Sequence, residues 1–288
     1  MVDIRQEAFF RSGIAALSDL QTSEWRDLFN LLEREQAAFL SREREFRSPE
    51  YKWPLDPLHN FTRVWEYPYV YANLGRWRRD LAVQHLPRVV DLGSGVTFFP
   101  FAVAKLECHV TCVDIDPICE KDLNRAIELV PQSPGKVDFR MSENVELPFA
   151  DGEVDAVYCI SVLEHVPDFE FTIQEMSRVL GPQGLLILTI DLALGSVGEI
   201  RADRYRDLMG KLRQHFQYIA PDVTTHPGDK LDSHSSPFRQ LPPKGVAWLK
   251  SILRRNVLNP LRGIPSRSSS NYPITVQGFV MCKSGHRE

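Results

Sequence analysis

Short apolar runs alternate with segments of helical period through the middle of the chain. Residues 88–92, 109–113, 137–141, 154–160 and 185–190 read as strands, and the apolar run 154–160 suits one covered on both faces. Between them, helices are expected from about Phe98–Pro100 onward, over 117–130, and over 169–180 with Ile173, Met176, Val179 and Leu180 as its inner face. Strand and helix in regular alternation predict an α/β protein with a doubly wound, mainly parallel sheet. A last apolar run, 274–282, is expected to return to that sheet. Residues 1–21 are poorly patterned. From Thr22 or Ser23, each a plausible N-cap, a helix is expected toward Phe46, with Trp25, Leu28, Phe29, Leu32, Phe39 and Leu40 on one face. It packs on the core or on a partner chain. Residues 49–74 combine four prolines with Tyr51, Trp53, Phe61, Trp65, Tyr67, Tyr69 and Tyr71. The prolines argue against one long helix there, and the next helix is expected over about 73–84. The aromatics either line a pocket mouth or glue the N-terminal segment to the core. Beyond the sheet, 199–217 reads as helix, 222–245 as a long loop, and 246–261 as a basic amphipathic helix carrying Arg254 and Arg255.

These patterns divide the chain into a lid-like N-terminal segment (1–85), a ligand-binding core (86–195), a helix plus basic insertion on the side of a second substrate (196–270), and a final strand (271–288). Composition is ordinary for a globular protein, with 43% hydrophobic and 25% charged residues. No apolar run approaches the roughly 20 residues of a membrane span, and the N-terminus has acids where a secretory leader is basic. A cytoplasmic protein is expected, and the five cysteines suit it as buried free thiols. No metal cluster is evident. Charge changes the picture more. The net charge of −4 divides into −12 over residues 1–232 and +8 over 233–288. The basic part meets something anionic or packs beside the acidic remainder of its own chain.

The candidate chemistry starts at Val89. A strand runs into Gly93-Ser94-Gly95, a helix follows, and a second strand ends on Asp114. This is half of a mononucleotide-binding unit. A dinucleotide loop needs a third glycine where this chain has Phe98, so an oxidoreductase of that type is the weakest reading.

Asp91-Leu92-Gly93-Ser94-Gly95 resembles motif I of the class I S-adenosylmethionine-dependent methyltransferases, a Rossmann-like family. Later stretches resemble the family in order. Cys112-Val113-Asp114-Ile115-Asp116 is similar to the strand end whose acid accepts the ribose hydroxyls. Ser142-Glu143-Asn144 is similar to the adenine-contacting segment, and Ser161-Val162-Leu163-Glu164-His165-Val166 to the run after the fourth strand. Arg178 to Gly184 is similar to the turn before the fifth. The nearest branch is the ubiquinone/menaquinone-biosynthesis-like group that methylates small molecules. Two departures are Thr97, where a third glycine is frequent, and Glu143 in place of the usual adenine Asp.

The resemblance implies S-adenosyl-L-methionine as cofactor, bound by Asp91, Gly93, Ser94, Gly95, Asp114, Ile115, Ser142, Glu143, Asn144 and Ser161. It implies methyl transfer to O, N or C of a small molecule, an anionic or sugar-containing one if the basic tail faces it. His165, Glu164 and Asp191, at the ends of the fourth and fifth strands, are the candidates for handling the acceptor's proton. The Glu-His pair could instead only shape its loop. A nucleic-acid methyltransferase and a non-catalytic cofactor binder are the other classes. No nucleic-acid-binding module is recognisable, and nucleic acid is not expected as a partner. The oligomeric state is not legible.

Overall fold

The computed structural model describes residues 9–82, 85–142, 146–193, 202–238 and 273–285. Strand β1 (Ser12–Ile14) precedes helices α1 (Ser23–Leu40), α2 (Glu43–Phe46) and α3 (Arg63–Asp80). The alternating part follows as β2 (Arg88–Leu92), α4 (Phe99–Ala104), β3 (His109–Asp114), α5 (Pro117–Leu129), β4 (Lys136–Met141), β5 (Val154–Ile160), α6 (Phe169–Val179) and β6 (Leu180–Leu192). Helix α7 (Ala202–His215), the short strands β7 (Phe216–Tyr218) and β8 (Asp222–Val223), and β9 (Thr275–Lys283) complete the described elements.

The strands form one sheet in the order β4-β3-β2-β5-β6-β9-β1-β8, with β7 also paired to β9. The five strands from β4 to β6 are mutually parallel, and β9 runs antiparallel to β6. The α/β, doubly wound, mainly parallel sheet read from the sequence is present. Strand order reverses between β2 and β5, and such a switch point opens a crevice at the carboxyl ends of the strands.

Two apolar layers cover the sheet. One holds residues of α1, α3, α4 and α5 against Val89, Val110 and Val137; the other holds residues of α6 and α7 against Val90, Val157 and Leu188. Cys108, Cys112, Cys119, Cys159 and Cys282 are free and buried.

Three expectations are corrected. The first helix ends at Leu40, and Glu43–Phe46 is a separate turn of helix; its start, with Thr22 Oγ1 accepting from the Trp25 N–H, is as read. Residues 1–21 and 222–245 include β1 and β8, whose mutual parallel pairing extends the sheet edge. Strands of three and two residues give too short an alternation to read. Most consequentially, the proline-rich aromatic stretch contains the 18-residue α3, which runs straight through Pro68. Proline removes the N–H that would bond the carbonyl four residues back. That carbonyl, on Val64, accepts instead from the Trp25 indole at 2.9 Å. An N-terminal side chain thus repairs the helix that local sequence appeared to break.

Most of the aromatics are core. Trp65 and Tyr69 stack at 4.3 Å, and Gly278 of β9 lets them lie flat, since a Cβ there would stand 2.6 Å from the Tyr69 ring. Polar atoms on α3 tie down the chain before it: Trp65 Nε1 donates to Asp19 at 2.7 Å, the Tyr69 hydroxyl to the Arg11 carbonyl at 2.7 Å, and Asn73 to the Phe9 carbonyl at 3.0 Å.

Trp25→Phe is therefore expected to destabilise the protein by about 1–3 kcal/mol, the cost of leaving a buried carbonyl unmet. In a Pro68→Ala background, where the helix supplies its own N–H, the same change should cost less. Urea unfolding of the four proteins of this cycle checks the claim, and equal costs in both backgrounds would refute it.

Candidate active site

The crevice at the strand switch point is built from the turn after β2 and the turn after β5. Gly93 has φ +73°, and a Cβ on it would meet the Val162 side chain at 2.5 Å. Glycine is thus required twice over, for backbone conformation and for the close approach of the two turns. The Gly93 and Ser94 N–H groups bond the Val113 carbonyl at 2.8 and 3.3 Å. Asp114 then receives three backbone N–H groups: Gly95 on one oxygen at 2.9 Å, and Ile115 and Asp116 on the other at 2.8 and 3.0 Å. Its neighbour Ile115, an apolar side chain at the lip of the crevice, is 75% exposed. Tyr51 closes the turn from above, its hydroxyl accepting from the Val96 N–H at 3.0 Å, and burial pushes that phenol up to about 12. Of the aromatics nominated for a pocket mouth, Tyr51 is the one that reaches the glycine turn.

Phe98, at the position of a dinucleotide loop's third glycine, is buried and turned away from the crevice. Its ring meets Tyr67 edge-on at 5.5 Å, while Tyr67 stacks on Phe99 at 4.6 Å. The third glycine is replaced by an anchor for α3.

Asp91 is 5% exposed. Burial pushes its carboxyl up to about 8, the Asp114 charge adds to this, and the in-register Tyr158 hydroxyl opposes it. No cation faces it. Ser142 is buried, its hydroxyl donating to the Glu146 carbonyl at 2.9 Å. Glu143 and Asn144 lie outside the described residues.

The second half of the crevice carries a polar network that the sequence did not disclose. Ser161, just past β5, has φ +48°, a left-handed conformation rare outside glycine. Its hydroxyl accepts from Arg63 at 2.7 Å and donates to Glu66 at 2.7 Å. Glu66, fully buried, also accepts from the Thr189 hydroxyl at 2.5 Å and pairs with Arg63. Asp191 stands 3.4 Å from the Ser161 hydroxyl. Glu164 is turned inward, one oxygen accepting the Asp191 N–H at 3.0 Å and the other buried without a partner; burial, then the Asp191 and Glu66 charges, hold its carboxyl well above the usual range. His165 sits on the same turn with its side chain exposed.

The structure thus brings Asp91, Gly93, Gly95, Asp114, Ser161, Glu164 and Asp191 to one crevice. It adds Arg63 and Glu66 from α3, Tyr51 and Thr189. Two charges three residues apart inside the aromatic run 61–71 were the available signal for Arg63 and Glu66. Among the described residues no group of His, Cys, Asp and Glu could hold a metal ion, and no helix is long and apolar enough to cross a membrane.

A methyltransferase-domain family profile matches residues 90–188, about a third of the chain. An uncharacterised methyltransferase of Mycobacterium sp. (strain JLS) is 34% identical over 110 residues, covering 38% of this chain and 41% of the relative. A ubiquinone biosynthesis O-methyltransferase of Xanthomonas oryzae pv. oryzae is 36% identical over 137 residues, covering 47% and 52%. The chain thus spans about half the length of the curated relatives it matches. Among solved structures, the cyclase SpnF superposes with a TM-score of 0.50 at 16% identity, over 94% of this chain and 98% of that one, which is a likeness of fold.

The Asp91 geometry sets a pH dependence. The folded protein keeps this proton to about pH 8, whereas an unfolded Asp loses it near about pH 4. The resulting contribution to the stability of the ligand-free protein is full below about pH 4 and is lost as pH rises through about 8. Asp91→Asn should raise the unfolding free energy at pH 7 by roughly 1–4 kcal/mol and flatten its slope between pH 5 and 8. Denaturant titrations across that range would reject the assignment if the slope were unchanged.

Proposed function

We propose that residues 90–188, which match a methyltransferase-domain family, are the core of a class I S-adenosylmethionine-dependent methyltransferase, and that the whole chain is a cytoplasmic enzyme methylating a small-molecule acceptor. The family implies S-adenosylmethionine as the methyl donor, and the crevice fits it on chemical grounds. One observation carries the fit: Asp91 is a buried carboxyl with no ion pair among the described residues, in a crevice whose half-buried cation, Arg63, is already shared with Glu66. Buried carboxyls without a counter-charge are costly, and a ligand with cationic centres offsets that cost. Bound there, the cofactor supplies an electrophilic methyl group on a sulfonium.

The residues of this chain hold and orient. Asp91 would take the ammonium end of the ligand, and the Arg63 guanidinium, fixed by Glu66 and Ser161, its carboxylate. Asp114, Ile115 and the Ser142–Asn144 segment would receive the ribose and adenine. Asp191, half-buried at the end of β6, is within reach of the acceptor side and is the carboxylate we assign to its proton. Glu164, kept neutral by burial, holds the Asp191 backbone, and the exposed His165 shapes the turn. The excess of basic residues after Asp232 supports an anionic acceptor, one bearing phosphate or carboxylate. Nucleic acid is not assigned as a partner.

Calorimetry with S-adenosylmethionine and S-adenosylhomocysteine, followed by a methyl-release assay across phenolic, amine and carboxylate acceptors, tests this reading. Arg63→Ala is expected to weaken binding of both ligands at least tenfold, or about 1.4 kcal/mol, while Arg63→Lys recovers part of the loss. An absence of binding to the unaltered protein would overturn the proposal. Binding without turnover on any acceptor would leave a cofactor binder.

A further inference from the structure

At the opposite end of the sheet from the crevice, three adjacent strands begin with a basic residue in the same register. Arg88 of β2 pairs with His109 of β3, and His109 with Lys136 of β4. Neighbouring parallel strands lie about 4.8 Å apart, so the three side chains form a contiguous row. They share the face of Val90 and Val113, which belongs to the α6 layer, whereas Val89, Val110 and Val137 between them face the other layer. The two permanent cations of the row, Arg88 and Lys136, flank His109, and cations gathered at one end of a sheet repel unless something offsets them.

What offsets it within the chain is incomplete. Glu153 is shared between two guanidiniums, Arg88 at 3.2 Å and Arg140 at 3.8 Å. Asp138 is engaged by His109 at 2.8 Å. Asp155 accepts the Arg88 backbone N–H at 2.8 Å. Lys136 is exposed and has no ion pair among the described residues.

The row also borders a cavity of about 170 Å³, whose lining includes Arg88, His109, Thr111, Lys136, Arg140 and Phe149 together with the Glu153 carboxylate that Arg88 and Arg140 share. A parallel sheet is ordinarily covered on both faces by its crossover helices. The connection from β4 to β5 has no helix among its described residues, so this corner stays open. One wall is apolar and rigid: Phe149, with the Arg140 guanidinium 4.6 Å over its ring and held there by a 2.7 Å bond to the Pro148 carbonyl. Cations on one side and an aromatic wall on the other are the chemistry of a phosphate group carried on an apolar or planar body.

We propose that this cavity is a second ligand site, for the phosphate group of a small phosphorylated molecule, separate from the crevice at the carboxyl ends of the strands. Lys136 and Arg88 supply charge, His109 and Thr111 hydrogen bonds, and Phe149 the apolar contact. The free phosphate ion shares the recognised chemistry, and the length of the ligand beyond its phosphate decides between the two sources.

The test titrates the full chain with inorganic phosphate and with phenyl phosphate at constant ionic strength, followed by calorimetry. Saturable one-to-one binding is expected, weakened at least tenfold by Lys136→Glu with an unchanged urea midpoint. Because Lys136 is exposed, that variant should fold; His109→Gln provides a second, milder loss. Tighter binding of phenyl phosphate identifies a phosphorylated organic ligand, and equal binding identifies the free ion. No saturable binding, or binding unaffected by both substitutions, overturns the site. So does retention of a single-stranded oligonucleotide without any binding of the two small phosphates, since that assigns the row to an extended polyanion.

Discussion

The Glu66 carboxylate, cut off from solvent, is the join on which the crevice depends. It ties helix α3 to the ends of β5 and β6 by accepting from Ser161 and Thr189, and it holds Arg63 beside them. A buried carboxylate is tolerated only when its oxygens are satisfied and a cation stands near. Arg63 is that cation, and Glu66 is in turn what fixes the guanidinium at the mouth. Neither group is stable there alone. The same interaction holds Ser161 in its left-handed conformation, so the turn after β5, the helix above it and the charge of the site form one arrangement.

That arrangement lies mostly outside the stretch that matches the methyltransferase-domain family. Residues 90–188 carry the sheet centre, the glycine turn and Asp114. Arg63 and Glu66 precede it, and Thr189 and Asp191 follow it. The matched core provides the crevice at the strand switch point. The flanking helix decides the electrostatics of that place, because among the described residues it brings a half-buried cation, Arg63, into a crevice otherwise lined with carboxylates.

Legibility followed range. The strand cores and the Gly93 turn were readable because their signals, apolar runs and a glycine pair before a helix, are local. The helix through Pro68 was not, since the indole N–H that donates to the Val64 carbonyl in place of proline's missing N–H comes from Trp25, nearly forty residues earlier in the chain than Val64. Asp91 could be nominated from its motif, but its raised pKa comes from burial and an unpaired environment that only packing creates. Phe98 read as a departure from a phosphate loop; in the fold it is the socket for Tyr67. The basic row needed register, as Arg88, His109 and Lys136 are scattered in sequence and become neighbours only when three strands are aligned.

The two ends of the sheet therefore differ in sign, and the parallel topology makes this workable. At the carboxyl ends of the strands, the helices that follow start near the crevice and point their unsatisfied N–H groups and positive dipole ends toward it. Carboxylates gather where that field favours them: Asp116 caps α5, and Asp114 gathers three N–H groups beside it. The opposite end lies near helix C-termini, where the field favours cations, and it holds Arg88, His109 and Lys136. The field of one helix end is worth only about 0.3–1 kcal/mol at an exposed site. It can bias which residue sits at which end, but it neither offsets the burial that keeps Asp91 protonated to about pH 8 nor pairs Lys136, which has no ion pair among the described residues. A cationic group at the crevice would draw Asp91 toward its carboxylate form and an anionic one would suit the basic end, so the same group does not satisfy both.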